Sequence, residues 1–293
     1  MGRAAQGETG MSRKDGMKVA FQGELGAFSQ QAIRQFLGPR AKPIPCPRFD
    51  EVFAALAKGR VDAAALPFEN TLHGSVHENY DLLIKHDFVI TAETNVRITM
   101  NLIAPPGLAL RDVRQVFSKD VALNQCRDFF ARHKLMRPEI FYDTAGSVKM
   151  IMEKRPPGGA AIASEIAAKI YGARVLMREI EDDRQNFTRF FLLEAAGSKP
   201  RAPKGSGKRP WKTSLVFSIR NVPGALFRAL SALALRDLNL VKVESRPLRG
   251  KPWEYLFYLD FIGRPDDEKV GHALGHLAEL ADYLRVLGTY RAA

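Results

Sequence analysis

Residues 185–191 read QNFTRFF. Thr188 and Arg189 set a hydroxyl and a guanidinium inside a run whose neighbours Phe187, Phe190 and Phe191 favour a pleated, half-buried strand. A hydroxyl is a neutral hydrogen-bond donor, and a guanidinium carries a fixed positive charge. Successive side chains of a strand point to opposite faces, so one of the two is expected to reach a ligand and the other to anchor the strand.

Other polar groups gather where apolar runs give way to helical patterns. Gly23, Gly26 and Ser29 follow the first run, PFENTLHGS (67–75) follows the third, and Ser118, Thr144 and Ser164 follow VRQVF, IFYD and GAAIA. Each hydroxyl is placed to cap the next helix, which leaves backbone N–H groups free for an anion. Several equivalent positions together point to a small anionic ligand such as a carboxylate. GELGAF lacks the G-x-G-x-x-G spacing of a dinucleotide loop. His73 and His77, like His272 and His276, stand four apart, but neither pair has a third ligand beside it, so exposed or capping roles are expected rather than a metal. Neither HExxH nor G-x-S-x-G occurs.

The elements that must position these groups follow from periodicity. MKVAFQG, KPIPCP and VDAAALPFEN alternate with the helical patterns LGAFSQQAIRQFLG and FDEVFAALAKG. The pattern restarts after Pro106 with VRQVFS, a helix from Lys119 to about His133, EIFYD, a helix from Ala145, and GAAIAS. Strands alternating with helices predict βαβ units, a mainly parallel sheet, and two α/β lobes in series with a cleft between them. From TSLVFSIRN onward the order becomes βαββαβ, that of a ferredoxin-like sandwich, with no catalytic constellation in it.

The whole-chain totals exclude several classes. A hydrophobic fraction of 46% and a charged fraction of 26% are ordinary globular values, and no window approaches the roughly 18 apolar residues of a membrane helix. Cys46 and Cys126 are too few for a disulfide framework or a cysteine zinc site. The net charge of +12 is concentrated: Lys199, Arg201, Lys204, Lys208, Arg209 and Lys212 fall in SKPRAPKGSGKRPWK, a Pro/Gly/Ser-rich segment without interleaved aromatics. It reads as a solvated linker rather than a nucleic-acid arm. Residues 1–17 lack the apolar stretch of a signal peptide and read as a loose tail, so a cytoplasmic location is expected. The division is a tail (1–17), a two-lobed domain (18–197), a basic linker (198–212) and a small domain (213–293).

These motifs, taken in order, resemble the prephenate dehydratases. The likeness runs from Lys18 through FQGELGAFSQQA, PFENTLHGSVHENYDLL, SKDVALNQC, AAIASEIAAKIYG and NFTRFFLLE, with Thr188, Arg189 and Phe190 on the family's TRF signature; the tail resembles an ACT regulatory domain through PGALF and ESRP. The resemblance implies a periplasmic-binding-protein-like two-lobed catalytic domain followed by the ferredoxin-like ACT domain. It also implies loss of water and carbon dioxide from prephenate to give phenylpyruvate, feedback by L-phenylalanine, and a homodimer or homotetramer. Aromatisation supplies the driving force, so no redox cofactor, metal or covalent intermediate is implied, only a donor to the departing hydroxyl and firm placement of two carboxylates.

By the same carry-over Thr188 is the catalytic donor and Asn70, Ser118 and Gln125 contact substrate. Thr71, Gly74, Ser75, Thr144 and Ala145 line the mouth beside Phe190, and Arg189 supports carboxylate charge or the strand. Gly224, Ala225, Leu226 and Phe227, with Glu244, Ser245, Arg246 and Pro247, fall on the regulatory site, where Glu244 would receive an α-ammonium. Lys119 and Asp120 depart from the family's usual His-Pro. Arogenate dehydration and a non-catalytic small-acid sensor remain the alternatives, and with about 17 residues ahead of the first strand no fused chorismate mutase is expected.

Overall fold

The computed structural model describes residues 16–201, 207–248 and 253–293, so most of the expected tail and residues 202–206 of the expected linker lie outside the described residues. The chain opens with β1 (Lys18–Gln22), α1 (Phe28–Leu37), β2 (Lys42–Cys46), α2 (Phe49–Ala57) and β3 (Ala63–Asn70). The short β4 (Gly74–Ser75), α3 (His77–Lys85) and β5 (Phe88–Arg97) follow. A second group comprises β6 (Asn101–Ala104), β7 (Gln115–Ser118), α4 (Asp120–Asn124), α5 (Arg127–Arg132) and β8 (Arg137–Ile140). It continues with α6 (Thr144–Lys154), β9 (Gly159–Ala163), α7 (Glu165–Tyr171) and β10 (Arg174–Met177), after which β11 (Phe187–Ala195) returns to the first sheet.

That return changes the expected plan. The first sheet has the order β2-β1-β3-β11-β5, with β1 parallel to β2 and β3 but β11 antiparallel to both its neighbours. The second sheet, β10-β6-β9-β7-β8, is likewise mixed. The lobes are therefore not strictly in series, and the sheets are not mainly parallel, because the chain crosses between lobes twice and each crossing turns a strand around. Arg97 clasps the crossing segments: it reaches Glu179 (3.2 Å), Glu181 (3.1 Å) and the Arg184 carbonyl, while Glu181 accepts the Met100 N–H.

The single helix expected over 119–133 is broken at Gln125 and Cys126. Gln125 gives its carbonyl to the Asp182 N–H, and the Asp182 carboxylate accepts the N–H groups of Arg127 and Asp128 at 2.8 and 3.1 Å, starting a second helix. The break brings Gln125 toward the crossing segment.

The third sheet is built from β12 (Trp211–Ser218), β13 (Leu240–Pro247), β14 (Tyr255–Ile262) and β15 (Tyr283–Arg291), in the antiparallel order β13-β14-β12-β15. With α8 (Ala225–Ala234) and α9 (Glu268–Leu280) this is the predicted βαββαβ sandwich. Trp211 and Lys212, read from sequence as linker, begin β12. One sheet face packs on the two helices through Leu215, Phe217, Leu259 and Phe261. The other lies on the first lobe, where Val216, Leu256, Tyr258, Leu287 and Tyr290 meet Tyr80, Ile90, Phe191 and Leu193. The approach is closest at Gly288, where a Cβ would stand 2.2 Å from the Ile90 carbonyl oxygen, so no other residue fits there.

Candidate active site

Strand alternation sends Thr188 and Arg189 to opposite faces of β11. Thr188 turns to the face of β11 that carries Phe190 and meets α1 and the second lobe; Arg189 turns to the face covered by the third sheet. Arg189 donates to Glu93 (2.7 Å), Asp260 (2.6 Å) and Tyr290 (3.0 Å) and lies 4.5 Å over the Phe191 ring. Burial works against its charge, but Tyr290, Asp260 and Glu93 more than offset this and hold the guanidinium protonated. It anchors the strand and the small domain.

Around Thr188 the hydrogen bonds fix a direction. Asn70, at the end of β3, uses its side-chain carbonyl to accept the N–H groups of Leu72 and His73 at 2.9 and 3.0 Å. Its amide nitrogen is thereby turned toward Asn186 Oδ1 (2.7 Å), Thr188 Oγ1 (3.0 Å) and the Phe187 carbonyl (3.1 Å). Because Thr188 accepts from Asn70, its own O–H is left to donate, and among the described residues it has no acceptor. Beside Asn70, His73 spans the cleft: its Nε2 lies 2.7 Å from Gln125 Nε2 of the second lobe. This side-chain contact joins the two lobes across the cleft.

A second set of contacts joins the lobes at the β1–α1 turn. Ser164 Oγ donates to the Gly26 carbonyl at 2.5 Å, and a Cβ on Gly26 would meet the Ala167 backbone at 2.6 Å. The glycines of GELGAF thus serve close approach between lobes. Glu24 accepts from Tyr142 (3.0 Å) and Lys149 (3.3 Å). Partial burial and the Glu24 carboxylate push the Tyr142 hydroxyl up to about 12.

The expected helix caps are mostly otherwise. Ser164 does cap α7 through the Ala167 N–H, but Asp143 rather than Thr144 caps α6, accepting from Gly146 at 2.7 Å, and burial raises its carboxyl above the ordinary value. Ser118 is fully buried and donates to the Ile162 carbonyl, tying β7 to β9. Ser29 lies inside α1.

Several residues expected at the mouth have other partners. Thr71 clamps the chain ahead of Thr188, donating to the Gln185 carbonyl and accepting the Phe187 N–H. Ser75 donates to Glu244 of β13 and accepts from Lys242 (3.0 Å), so it faces the small domain. Gly74 takes a φ of +73° at the start of β4, and the side chains of Ala145 and Phe190 are core, in the second lobe and behind β11. Asn70, Thr188 and Gln125 form the connected set, joined by His73, for which an exposed or capping role was expected, and by Asn186, which sequence reasoning passed over. The signal for Asn186 was present: two positions before Thr188, it shares that residue's face.

A family model described as prephenate dehydratase matches residues 19–198, and an ACT-domain model matches residues 213–274. The chain belongs to the prephenate dehydratase family. It is therefore an enzyme of the carbon–oxygen lyase class. It is 43% identical over 283 residues to arogenate dehydratase/prephenate dehydratase 2, chloroplastic, of Arabidopsis thaliana, covering 94% of this chain and 72% of that one. Prephenate dehydratase from Arthrobacter aurescens, solved in complex with L-Phe, shares 31% identity with a TM-score of 0.84 over 94% of this chain and 90% of that one. A solved chain described as a quorum quenching acylase shares 33% identity with a TM-score of 0.85, over 94% and 98%.

In the ACT domain of this dehydratase, a cavity of about 280 Å³ lies at the start of α8, lined by residues including Gly224, Ala225, Leu226, Phe227, Tyr255 and Phe257. Ser245 and Pro247 pair with Phe257 and Tyr255 and share that side of the sheet. Glu244 and Arg246 alternate to the other side: Glu244 is held by Ser75, Lys242 (2.8 Å) and His77 (3.2 Å), and Arg246 by Asp81 (3.3 Å). The expected role of Glu244 as receiver of an ammonium is corrected accordingly, since its carboxylate faces the catalytic lobe. Burial raises its pKa, yet Lys242 and Ser75 outweigh this and hold it below the ordinary value.

Proposed function

We propose that the cleft converts prephenate to phenylpyruvate. The electron pair of the bond to the ring carboxylate enters the ring as carbon dioxide leaves. The ring C–O bond breaks with its pair on oxygen, and that oxygen takes a proton and departs as water. The observation that carries this reading is the Thr188 hydroxyl, locked as an acceptor toward Asn70 and so presenting its O–H as a donor to the departing oxygen. A threonine hydroxyl is too weak an acid to surrender a proton readily, so Thr188 orients and stabilises the leaving group while solvent supplies the proton. Gln125 and His73 close the cleft around the substrate from opposite lobes.

A second reading, dehydration of arogenate directly to phenylalanine, is favoured by the Arabidopsis relative whose name carries both activities. Mixing the purified protein with each acid separately and following phenylpyruvate and phenylalanine decides between them. Binding of either acid without turnover would replace both readings with that of a sensor.

Feedback is assigned to the same reading. An L-phenylalanine bound beside Gly224 and Ser245 touches one face of β13. The other face holds the β3–β4 segment through Glu244 to Ser75 and Lys242 to Glu69 at 3.3 Å, next to Asn70. One strand thus links effector to cleft, provided the effector prefers one of its positions. The Glu244→Ala variant is expected to bind phenylalanine in calorimetry while turnover loses most of its response to it. An undiminished response would detach the coupling from this strand.

A further inference from the structure

Asn186 is fully buried, and its amide nitrogen has no hydrogen-bond partner among the described residues. Buried donors are nearly always satisfied, and an exception at a functional site calls for an explanation. Its orientation is not free. Oδ1 takes the shortest bond from Asn70 Nδ2, at 2.7 Å, and Asn70 itself is fixed by the N–H groups of Leu72 and His73. The backbone is fixed on three sides: the Asn186 carbonyl accepts the Ile98 N–H at 2.8 Å, and Thr71 holds residues 185 and 187. Flipping the amide would set its NH2 against the Asn70 NH2. The donor is therefore fixed in direction, buried, and without a partner among the described residues.

Asn186 lies two positions before Thr188 and turns to the same face, and one nitrogen, Asn70 Nδ2, reaches both side chains. Two neutral donors without acceptors among the described residues, the Asn186 N–H and the Thr188 O–H, thus belong to side chains that share one partner, Asn70 Nδ2. We propose that Asn186 is a catalytic residue whose amide donates to the departing ring hydroxyl together with Thr188, forming a two-donor hole for the negative charge that develops on that oxygen. The proposal rests on the dehydratase reading above. It transfers no proton: the amide stabilises the oxygen as the C–O bond breaks, and solvent protonates it. Preorganised donors of this kind act because they need no reorganisation as charge appears.

The test is kinetic. Asn186→Asp keeps the acceptor for Asn70 and replaces the open donor with an anionic oxygen. At neutral pH its kcat is expected to fall by about 100-fold or more, as for loss of one oxyanion-hole donor, with a much smaller change in KM. As the pH is lowered the Asp carboxyl takes up a proton and regains a donor, so the variant should recover turnover on an acid limb that the unaltered enzyme lacks. A purely structural role predicts near-normal kcat, because the Asn70 bond survives, and no new limb; that pair of results would overturn the proposal. Should Asn186→Asp fail to fold, judged by its melt and by phenylalanine binding, Asn186→Ser and Asn186→Ala replace it. The serine hydroxyl can donate, so Ser should keep clearly more turnover than Ala, and equal losses would overturn the assignment. Absence of turnover by the unaltered protein on both prephenate and arogenate would instead overturn the functional reading beneath it.

Discussion

Replacing Thr188 with valine is expected to lower kcat by about 100- to 10,000-fold, the range for loss of a positioned proton or hydrogen-bond donor, while leaving the fold intact. Valine matches the shape of threonine and lacks only the hydroxyl. Its effect on stability should be small because Asn70 Nδ2, when it loses Thr188 Oγ1, still has Asn186 Oδ1 and the Phe187 carbonyl for its two hydrogens. Serine at the same position retains a donor and should retain most of the turnover. Steady-state kinetics on prephenate, with a thermal melt of each variant as control, checks this. A valine variant that turns over at the unaltered rate would remove Thr188 from the chemistry. The assignment of the departing hydroxyl to this face of β11 would fall with it.

Much of this site was legible in the sequence, and the rest was not, for reasons that lie in the chain's path. The strand period assigns Thr188 and Arg189 to opposite faces without coordinates, and the helical and strand patterns marked β1, α1, β2, α2 and β3 closely. Sequence periodicity does not record which strands pair. The insertion of β11 between β3 and β5 is a long-range choice, and it alone brings Asn70 to Thr188 across 118 residues. The caps illustrate a second limit: Asp143 and Thr144 both suit an N-cap, and only the backbone decides that Asp143 holds the position. Ser75 and Glu244 show a third. Each sits in a motif whose residues were assigned to a ligand, yet the two bond to each other, because alternation along β13 sends Glu244 away from the effector cavity.

The other half of the TRF pair carries the largest expected effect on stability. Replacing Arg189 with methionine should destabilise the protein by about 3–5 kcal/mol, the range for removing one partner of a buried ion pair. The side chains of Glu93 and Asp260 are only 1% and 6% exposed; among the described residues, without the guanidinium, Asp260 keeps the side-chain bond from the Ser214 hydroxyl, while Glu93 keeps Lys212 at 2.6 Å and the Ala293 N–H. Asp260 belongs to β14 of the ACT domain and Glu93 to β5 of the first lobe, so the loss is centred on the seam between the two sheets. In a melt this should lower Tm by roughly 6–20 °C and split the transition, as the ACT domain comes away before the lobes unfold. Lysine should not rescue it, because one ammonium cannot reproduce three separately aimed bonds from Nε, Nη1 and Nη2. Had Arg189 instead held a substrate carboxylate, the methionine variant would melt normally and raise KM. A normal melt with raised KM would therefore return Arg189 to the cleft. A lowered, divided melt would mean that the TRF signature joins two tasks in adjacent residues, with Thr188 at the leaving hydroxyl and Arg189 fastening the regulatory domain to the strand that carries it.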